Sequence, residues 1–217
     1  LVDGGRIVAA GPNLAAPADA QRIALPGQTL LPGFIEGHSH LLLHPYDKVP
    51  WDDQVLKESE AYRVARAVVH AKATLMAGFT TVRDLGTEGA GNADVGLKRA
   101  INEGHVPGPR MIIATRALVA PGSYAPKNDA WAVPQGAEEA DGPNLVSAVR
   151  RQIGAGADVV KLYGDYRWRP GEGSRPTYSQ SEIAAAVAAS HDAGRQVAVH
   201  ANTAEAMRRA SAAGVEV

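Results

Sequence analysis

Four side chains in this sequence have types and positions that suit metal chemistry. His38 and His40 stand one residue apart in Gly37-His38-Ser39-His40, at the end of an apolar run that reads as a strand. Alternation along a strand sends both imidazoles to one side, where both can reach one cation. Lys161 lies in Asp158-Val159-Val160-Lys161-Leu162-Tyr163, and His200 closes Gln196-Val197-Ala198-Val199-His200. In these two runs the Val and Leu residues on either side take the face toward helices, which turns Lys161 and His200 inward. A buried lysine is costly unless paired or neutralised. Two readings of Lys161 stay open: an ion pair with an interior carboxylate such as Glu36, or a desolvated amine of lowered pKa. The second would be nucleophilic and able to take up carbon dioxide as a carbamate with two ligand oxygens. His-x-His alone reads as readily as a surface pair or a satisfied core pair as it does as a ligand pair; its place at a strand end, before a long loop, is what favours ligation.

Residues so far apart in the chain need a scaffold that gathers strand ends. From Pro32 onward strands and helices alternate, the signature of parallel βαβ units. Strands are expected over residues 33–41, 79–84, 110–116, 158–163 and 196–200, with 215–217 beginning another. Ala61, Val64, Ala65, Val68, Leu75 and Met76 share one helical face, which Gly78 ends as a left-handed cap. Ser179 with Glu182, and Asn202 with Glu205, have the spacing of capping boxes. Helix-to-strand connections are short, whereas the strand-to-helix stretches 42–57, 117–144 and 164–177 are long. In a β/α barrel the long loops all lie on the C-terminal face, where catalytic sites sit. An open doubly wound sheet would alternate similarly, but no Gly-rich phosphate loop follows a strand. The expectation is therefore a TIM-type (β/α)8 barrel over residues 32–217, preceded by residues 1–31 as part of a small β-sandwich domain with short strands over 6–9, 21–24 and 28–31.

Composition narrows the chemistry. The chain of 217 residues has 22 Lys and Arg against 23 Asp and Glu, so it offers no broad basic field to nucleic acid or an anionic membrane. A small, roughly neutral substrate is the natural partner. There is no cysteine, which excludes a disulfide framework, a thiolate metal site and a cysteine nucleophile. No apolar run approaches the roughly 20 residues of a bilayer span. The opening Leu1-Val2-Asp3-Gly4-Gly5, without Met, reads like the middle of a hairpin. A cytoplasmic protein and an exported one with its leader removed both stay open.

The segments Leu31-Pro32-Gly33-Phe34-Ile35-Glu36-Gly37-His38-Ser39-His40, Gly78-Phe79-Thr80-Thr81-Val82-Arg83-Asp84, Gly156-Ala157-Asp158-Val159-Val160-Lys161 and Val197-Ala198-Val199-His200-Ala201 resemble the amidohydrolase superfamily. The nearest branch is similar to the imidazolonepropionase-like and Xaa-Pro dipeptidase-like enzymes. The resemblance implies a binuclear site of two divalent ions, with zinc the expected metal. His38 and His40 would hold one metal, a carbamylated Lys161 would bridge, and His200 would hold the other. It also implies a sixth-strand histidine and an eighth-strand aspartate, the latter both ligand and general base; neither is in this sequence. The barrel is thus expected to be truncated after about five βα units, and residues 1–217 alone to be inactive. A homo-oligomer is expected of the complete protein.

Of the remaining histidines, His70 and His191 fall within helices and His105 near a helix end, where packing or surface roles are expected, while His44 in the first long loop is a candidate substrate contact. Gly164-Asp165-Tyr166-Arg167-Trp168-Arg169-Pro170 follows Lys161 closely. Arg167 or Arg169 could clamp a substrate carboxylate, with Tyr163, Tyr166 or Trp168 against its side chain. The expected activity is metal-dependent hydrolysis of an amide C–N bond in a dipeptide or N-acyl amino acid, with aromatic amides of the ochratoxin type also fitting. A cyclic-amide hydrolase, a non-catalytic fragment needing a second polypeptide, and a metal-free barrel-like binding protein remain the alternatives.

Overall fold

A computed structural model describes residues 1–124 and 136–217, which form two compact units, Leu1–Pro32 and Gly33–Val217. The first unit carries one antiparallel hairpin, β1 (Val2–Asp3) with β2 (Arg6–Ile7), closed by Gly4 and Gly5 at φ +53° and +75°. Two successive positive φ values are what a tight hairpin turn demands, and glycine adopts them without a Cβ penalty. The strands expected over 21–24 and 28–31 do not form. A strand is defined by its ladder, and no partner for those segments exists among the described residues.

The second unit begins with β3 (Phe34–Ser39), α1 (Trp51–Lys57), α2 (Glu60–Met76), β4 (Phe79–Asp84), α3 (Ala93–Asn102) and β5 (Arg110–Ile113). It continues with β6 (Leu118–Val119), β7 (Glu138–Glu139), α4 (Gly142–Ala155), β8 (Val159–Tyr163), β9 (Asp165–Tyr166), β10 (Arg175–Pro176), α5 (Gln180–Asp192), β11 (Gln196–His200) and α6 (Ala204–Ala212). Strands β3, β4 and β5 are parallel neighbours in that order, and β6, β8 and β11 are parallel neighbours in theirs. The expected strand over 110–116 is interrupted at Thr115, whose φ is +59°. On one side of the break Asp158 N donates to Ile113 O at 2.8 Å, and on the other Leu118 of β6 lies opposite Leu162 of β8. Each strand line is therefore laid beside its predecessor, which is the progression of a β/α barrel. Val199 N donates to Val217 O at 2.8 Å, so the segment after α6 runs alongside β11 as the sequence suggests. The long stretch expected as loop over 117–144 contains β6 and β7, and its residues 125–135 lie outside the described residues.

Helices cover the outer face. Leu118, Val160, Leu162 and Val197 pack on Leu145 and Val149 of α4 and on Ile183 and Val187 of α5. Inside, Leu85, Ala114, Val159 and Ala198 form a small apolar plug. The alternation is the one read from sequence: Val160 and Leu162 face helices, while Val159 and Lys161 face the interior. Two local expectations are corrected. The buried face of α2 is Arg63, Ala67 and Ala71, while Ala61, Ala65 and Met76 are exposed. Arg63 goes in because its guanidinium donates to the carbonyls of Leu42, Thr87 and Glu88, which a periodicity of apolar residues cannot reveal. The N-cap of α6 is Thr203, whose hydroxyl accepts from Ala206 N, rather than Asn202; the side chain of Asn202 turns to His200 instead. The box formed by Ser179 and Glu182 at α5 is present. Among the described residues no helix is long and apolar enough to cross a membrane.

Candidate active site

The C-terminal ends of β3, β4, β8 and β11 surround a cavity of about 320 Å³ whose wall includes His38, Arg83, Lys161, His200 and Asn202. His38 and His40 pack ring to ring with centroids 5.2 Å apart, at an irregular register between Glu36 and Ser39. His40 is anchored by Nδ1 against Gly86 O at 2.9 Å and lines a separate, more apolar cavity of about 380 Å³ with Tyr46 and His70. His38 is exposed on its open side, yet the packing that does cover it, followed by the positive charges of Lys161, His40, His200 and Arg83, holds its pKa at about 4. Burial and then Lys161 lower the His200 pKa, with Asp165 opposing them. Both rings are thus neutral at neutral pH and keep a lone pair.

Lys161 is only 2% exposed. Its Nζ lies 5.3 Å from the Tyr163 ring centroid, and among the described residues no hydrogen bond or ion pair holds it. Burial brings its pKa down to about 8; Glu88 opposes that shift and Arg83 adds to it. The ion pair with Glu36 does not form; Glu36 Oε1 instead accepts the backbone N–H of His38 at 3.0 Å. The desolvated amine is the reading that remains.

Three buried acidic residues beside this cavity are not singled out by sequence reasoning. Glu88, 2% exposed with φ +51°, receives Trp51 Nε1 at 3.0 Å, Tyr163 Oη at 3.1 Å, and the Tyr124 hydroxyl. Asp84 accepts from Leu41 N and Gly86 N, and burial, only partly offset by His40, raises its pKa to about 6. Asp165 stands below the rim of the cavity next to His200. The one available signal is position: Asp84 closes β4, Glu88 follows it by a short turn, and Asp165 stands just past β8. Arg83, on the inner face of β4, donates Nε to Gly37 O at 2.8 Å.

The candidate substrate contacts are dispersed. Tyr163 is buried and stacks on His200. Tyr166 is half-buried, 4.8 Å from the Tyr124 ring and 6.4 Å from that of His200. Arg167, Trp168 and Arg169 are exposed between β9 and β10 and do not line the cavity, although Arg167 lies over the Tyr166 ring at 5.9 Å. His44 points away, its ring 5.1 Å from that of His70.

Strands laid down in barrel order, with His38, His40 and His200 at or just past strand ends and Lys161 buried within β8, place the candidate residues at the face where β/α barrels carry their sites. The sequence matches the amidohydrolase family over residues 29–217, and the chain belongs to that family. It is similar to a Xaa-Pro dipeptidase crystallised with methionine in its active site, at 32% identity and a TM-score of 0.71, over 85% of this chain and 47% of that one. It is also similar to a prolidase complexed with N-methylphosphonate-L-proline, at 28% identity and a TM-score of 0.72, over 90% and 51%. An ochratoxinase from A. niger shares the fold at 24% identity and a TM-score of 0.68, over 85% and 46%. No curated protein sequence matches. The chain spans about half the length of the structures it matches.

Enzymes of this family generally use divalent metals. Among the described residues no three His, Asp or Glu side chains converge as a ready-made cage. A cation here would rest on His38, His40 and His200 together with Lys161. The donor chemistry fits on one condition, that the lysine not be an ammonium, because Arg83 already makes this wall positive.

Proposed function

We propose that the complete protein is a metal-dependent hydrolase that cleaves the amide C–N bond of dipeptides or N-acyl amino acids, with His38, His40, Lys161 and His200 holding two divalent ions, zinc foremost. The observation that carries this reading is Lys161: a lysine 2% exposed, without an acceptor among the described residues, across a cavity from His38 and His200. Loss of one proton from the ammonium gives the neutral amine; its addition to carbon dioxide forms an N–C bond and releases a second proton, so that a cation becomes an anion with two acceptor oxygens. That change removes the positive charge that disfavours metal between Arg83 and the imidazoles.

When bound, the metals supply Lewis acidity that activates water and polarises the amide carbonyl. The chain's own residues do the rest. His38 and His200 offer lone pairs because desolvation and the neighbouring cations keep them neutral. Tyr163 covers one face of His200 and, with Leu85 and Ala198, excludes water from below. Tyr166 and the Arg167 above it are the groups proposed for the substrate's side chain and carboxylate.

The test is to purify the complete protein, measure its metal content, and assay Xaa-Pro dipeptides, other dipeptides and N-acyl amino acids with zinc and bicarbonate. Zinc-dependent release of the amine product is the expected result. A metal-free protein inert toward the whole panel would overturn the proposal.

A further inference from the structure

Asp165 is fully buried, and its two oxygens are used unequally. Oδ2 accepts Asn202 N at 2.8 Å and Thr203 N at 2.6 Å, where the chain turns from β11 into α6. Oδ1 is buried without a hydrogen-bond donor among the described residues, and His200 Nε2 stands 3.7 Å from it. The same Nε2 is 3.0 Å from the side-chain amide of Asn202, placed with its nitrogen toward the ring.

These contacts cannot all be satisfied as drawn. A neutral imidazole carries one proton. If Asn202 Nδ2 donates to Nε2, that proton sits on Nδ1, and a buried carboxylate oxygen is left without a donor, which is costly. If the Asn202 amide is turned by half a rotation, Nε2–H faces two acceptors, Asn202 Oδ1 and Asp165 Oδ1, and both are served. Amide orientation and histidine tautomer are decided by just such networks. Asn202 is exposed, so its turned nitrogen meets water. The 3.7 Å gap exceeds hydrogen-bond length, but χ2 of histidine is soft, and rotation about it is the movement that closes such a gap.

We propose that Asp165 is a positioning residue that fixes the Nε2–H tautomer of His200, leaving Nδ1 as the one free lone pair of the ring. The carboxylate thereby does two jobs with one side chain. Oδ2 locks the start of α6, and Oδ1 sets which nitrogen of His200 can meet a cation, as outer-shell carboxylates do for ligating histidines. What Nδ1 would bind rests on the metal-hydrolase reading; the tautomer is a property of the metal-free protein.

The complete protein, metal-free and labelled with ring-15N histidine, provides the test, with a His200→Gln variant to identify the signal. A pyrrole-type shift at Nε2 and a pyridine-type shift at Nδ1 are expected. Asp165→Asn keeps an oxygen for the α6 amides but sets an NH2 against Nε2, so the tautomer should reverse; Asn202→Ala should leave it unchanged. A pyrrole-type Nδ1 in the wild type, a tautomer unmoved by Asp165→Asn, or one reversed by Asn202→Ala would each overturn the proposal. If Asp165→Asn does not fold, the wild-type and Asn202→Ala spectra decide. Zinc affinity, measured by equilibrium dialysis, should fall about 10- to 100-fold in Asp165→Asn. A reversed tautomer with unaltered zinc affinity would leave the Asp165 assignment intact and remove His200 from the ligands.

Discussion

Tyr163 stacks on His200 with ring centroids 4.9 Å apart and planes at 27°, while its hydroxyl donates to Glu88 Oε1 at 3.1 Å. One phenol thus connects a carboxylate at the end of the β4 line to a histidine at the end of β11. Glu88 also holds Trp51 and Tyr124, so three donors depend on one buried side chain.

Replacing Glu88 by Ala should therefore destabilise the protein by about 2–4 kcal/mol, because the buried Tyr hydroxyls lose their acceptor and a cavity is left. Glu88→Gln should cost less, since one oxygen still accepts. Denaturant midpoints of the three proteins check the ranking, and equal midpoints for Ala and wild type would show that the network contributes nothing to stability.

Lys161→Met should have opposite effects with and without metal. In the metal-free protein the substitution removes a desolvated amine that no acceptor among the described residues compensates, so stability should hold or rise by about 1 kcal/mol. Zinc should no longer raise the melting temperature, whereas it should do so for the wild type by mass action. Retained zinc stabilisation in Lys161→Met would exclude the lysine as a ligand.

Asp94 gives a stability dependence on pH away from the cavity. It lies in the first turn of α3 and accepts Thr115 N at 2.8 Å and Val95 N at 2.9 Å, holding the left-handed Thr115 in place. Burial, and then the charge of Asp84, raise its pKa to about 7. The folded form thus keeps a proton that the unfolded chain releases near pH 4, so this group's contribution is fully present below pH 4 and is lost as pH rises toward 7. The loss is at most about 4 kcal/mol over that window. Asp94→Asn should flatten the profile between pH 4 and 7, and urea denaturation across that range measures it.

Much of this arrangement could be read from the sequence because it depends on alternation and local chemistry. Val160 and Leu162 against Val159 and Lys161 and the Ser179–Glu182 box follow from neighbours within a few residues, whereas residues 215–217 run beside β11 without forming the expected strand. What was not legible depends on distant partners. Arg63 is buried because three carbonyls, one from the earlier loop at Leu42 and two from the later turn at Thr87 and Glu88, converge on it. Glu88 and Asp165 look like solvated loop acids until the fold brings Tyr124, Trp51 and the α6 amides to them. The break at Thr115 had no signal of its own, since the backbone there is held by Asp94 and by Gln152, whose side-chain oxygen accepts from the Thr115 hydroxyl.

The hairpin arginine gives a prediction about substrate. If Arg167, over the Tyr166 ring, meets a substrate carboxylate, Arg167→Ala should raise KM for carboxylate-bearing amides by the equivalent of about 1.5–3 kcal/mol and leave kcat nearly unchanged. Amidated analogues should be insensitive. An equal rise for both substrate types would take the arginine out of carboxylate recognition.

Gly164 controls the distance between the strands that carry Lys161 and His200. Its N–H donates to His200 O at 2.9 Å, and its own carbonyl accepts Thr177 N at 2.9 Å, so it sits in the seam between β8 and β11. A Cβ added there would lie 2.7 Å from Val199 Cγ1 and 3.2 Å from His200 O. The first clash involves a stiff β-branched side chain and the second a backbone atom, so neither yields by a simple rotamer change. Gly164→Ala should then destabilise the protein by about 1–3 kcal/mol, as overpacking does. It should also weaken zinc binding, because relief of the clash moves the two strand ends apart. Val199→Ala removes the nearer of the two obstacles while leaving His38, Lys161 and His200 in place, although Val199 itself lines the cavity. The double variant should therefore recover part of the stability lost in Gly164→Ala, giving a coupling of about 1 kcal/mol between the two sites. Denaturation and zinc titration of the four proteins in the cycle measure both effects. Strict additivity would mean that the Val199 contact is not what fixes the seam.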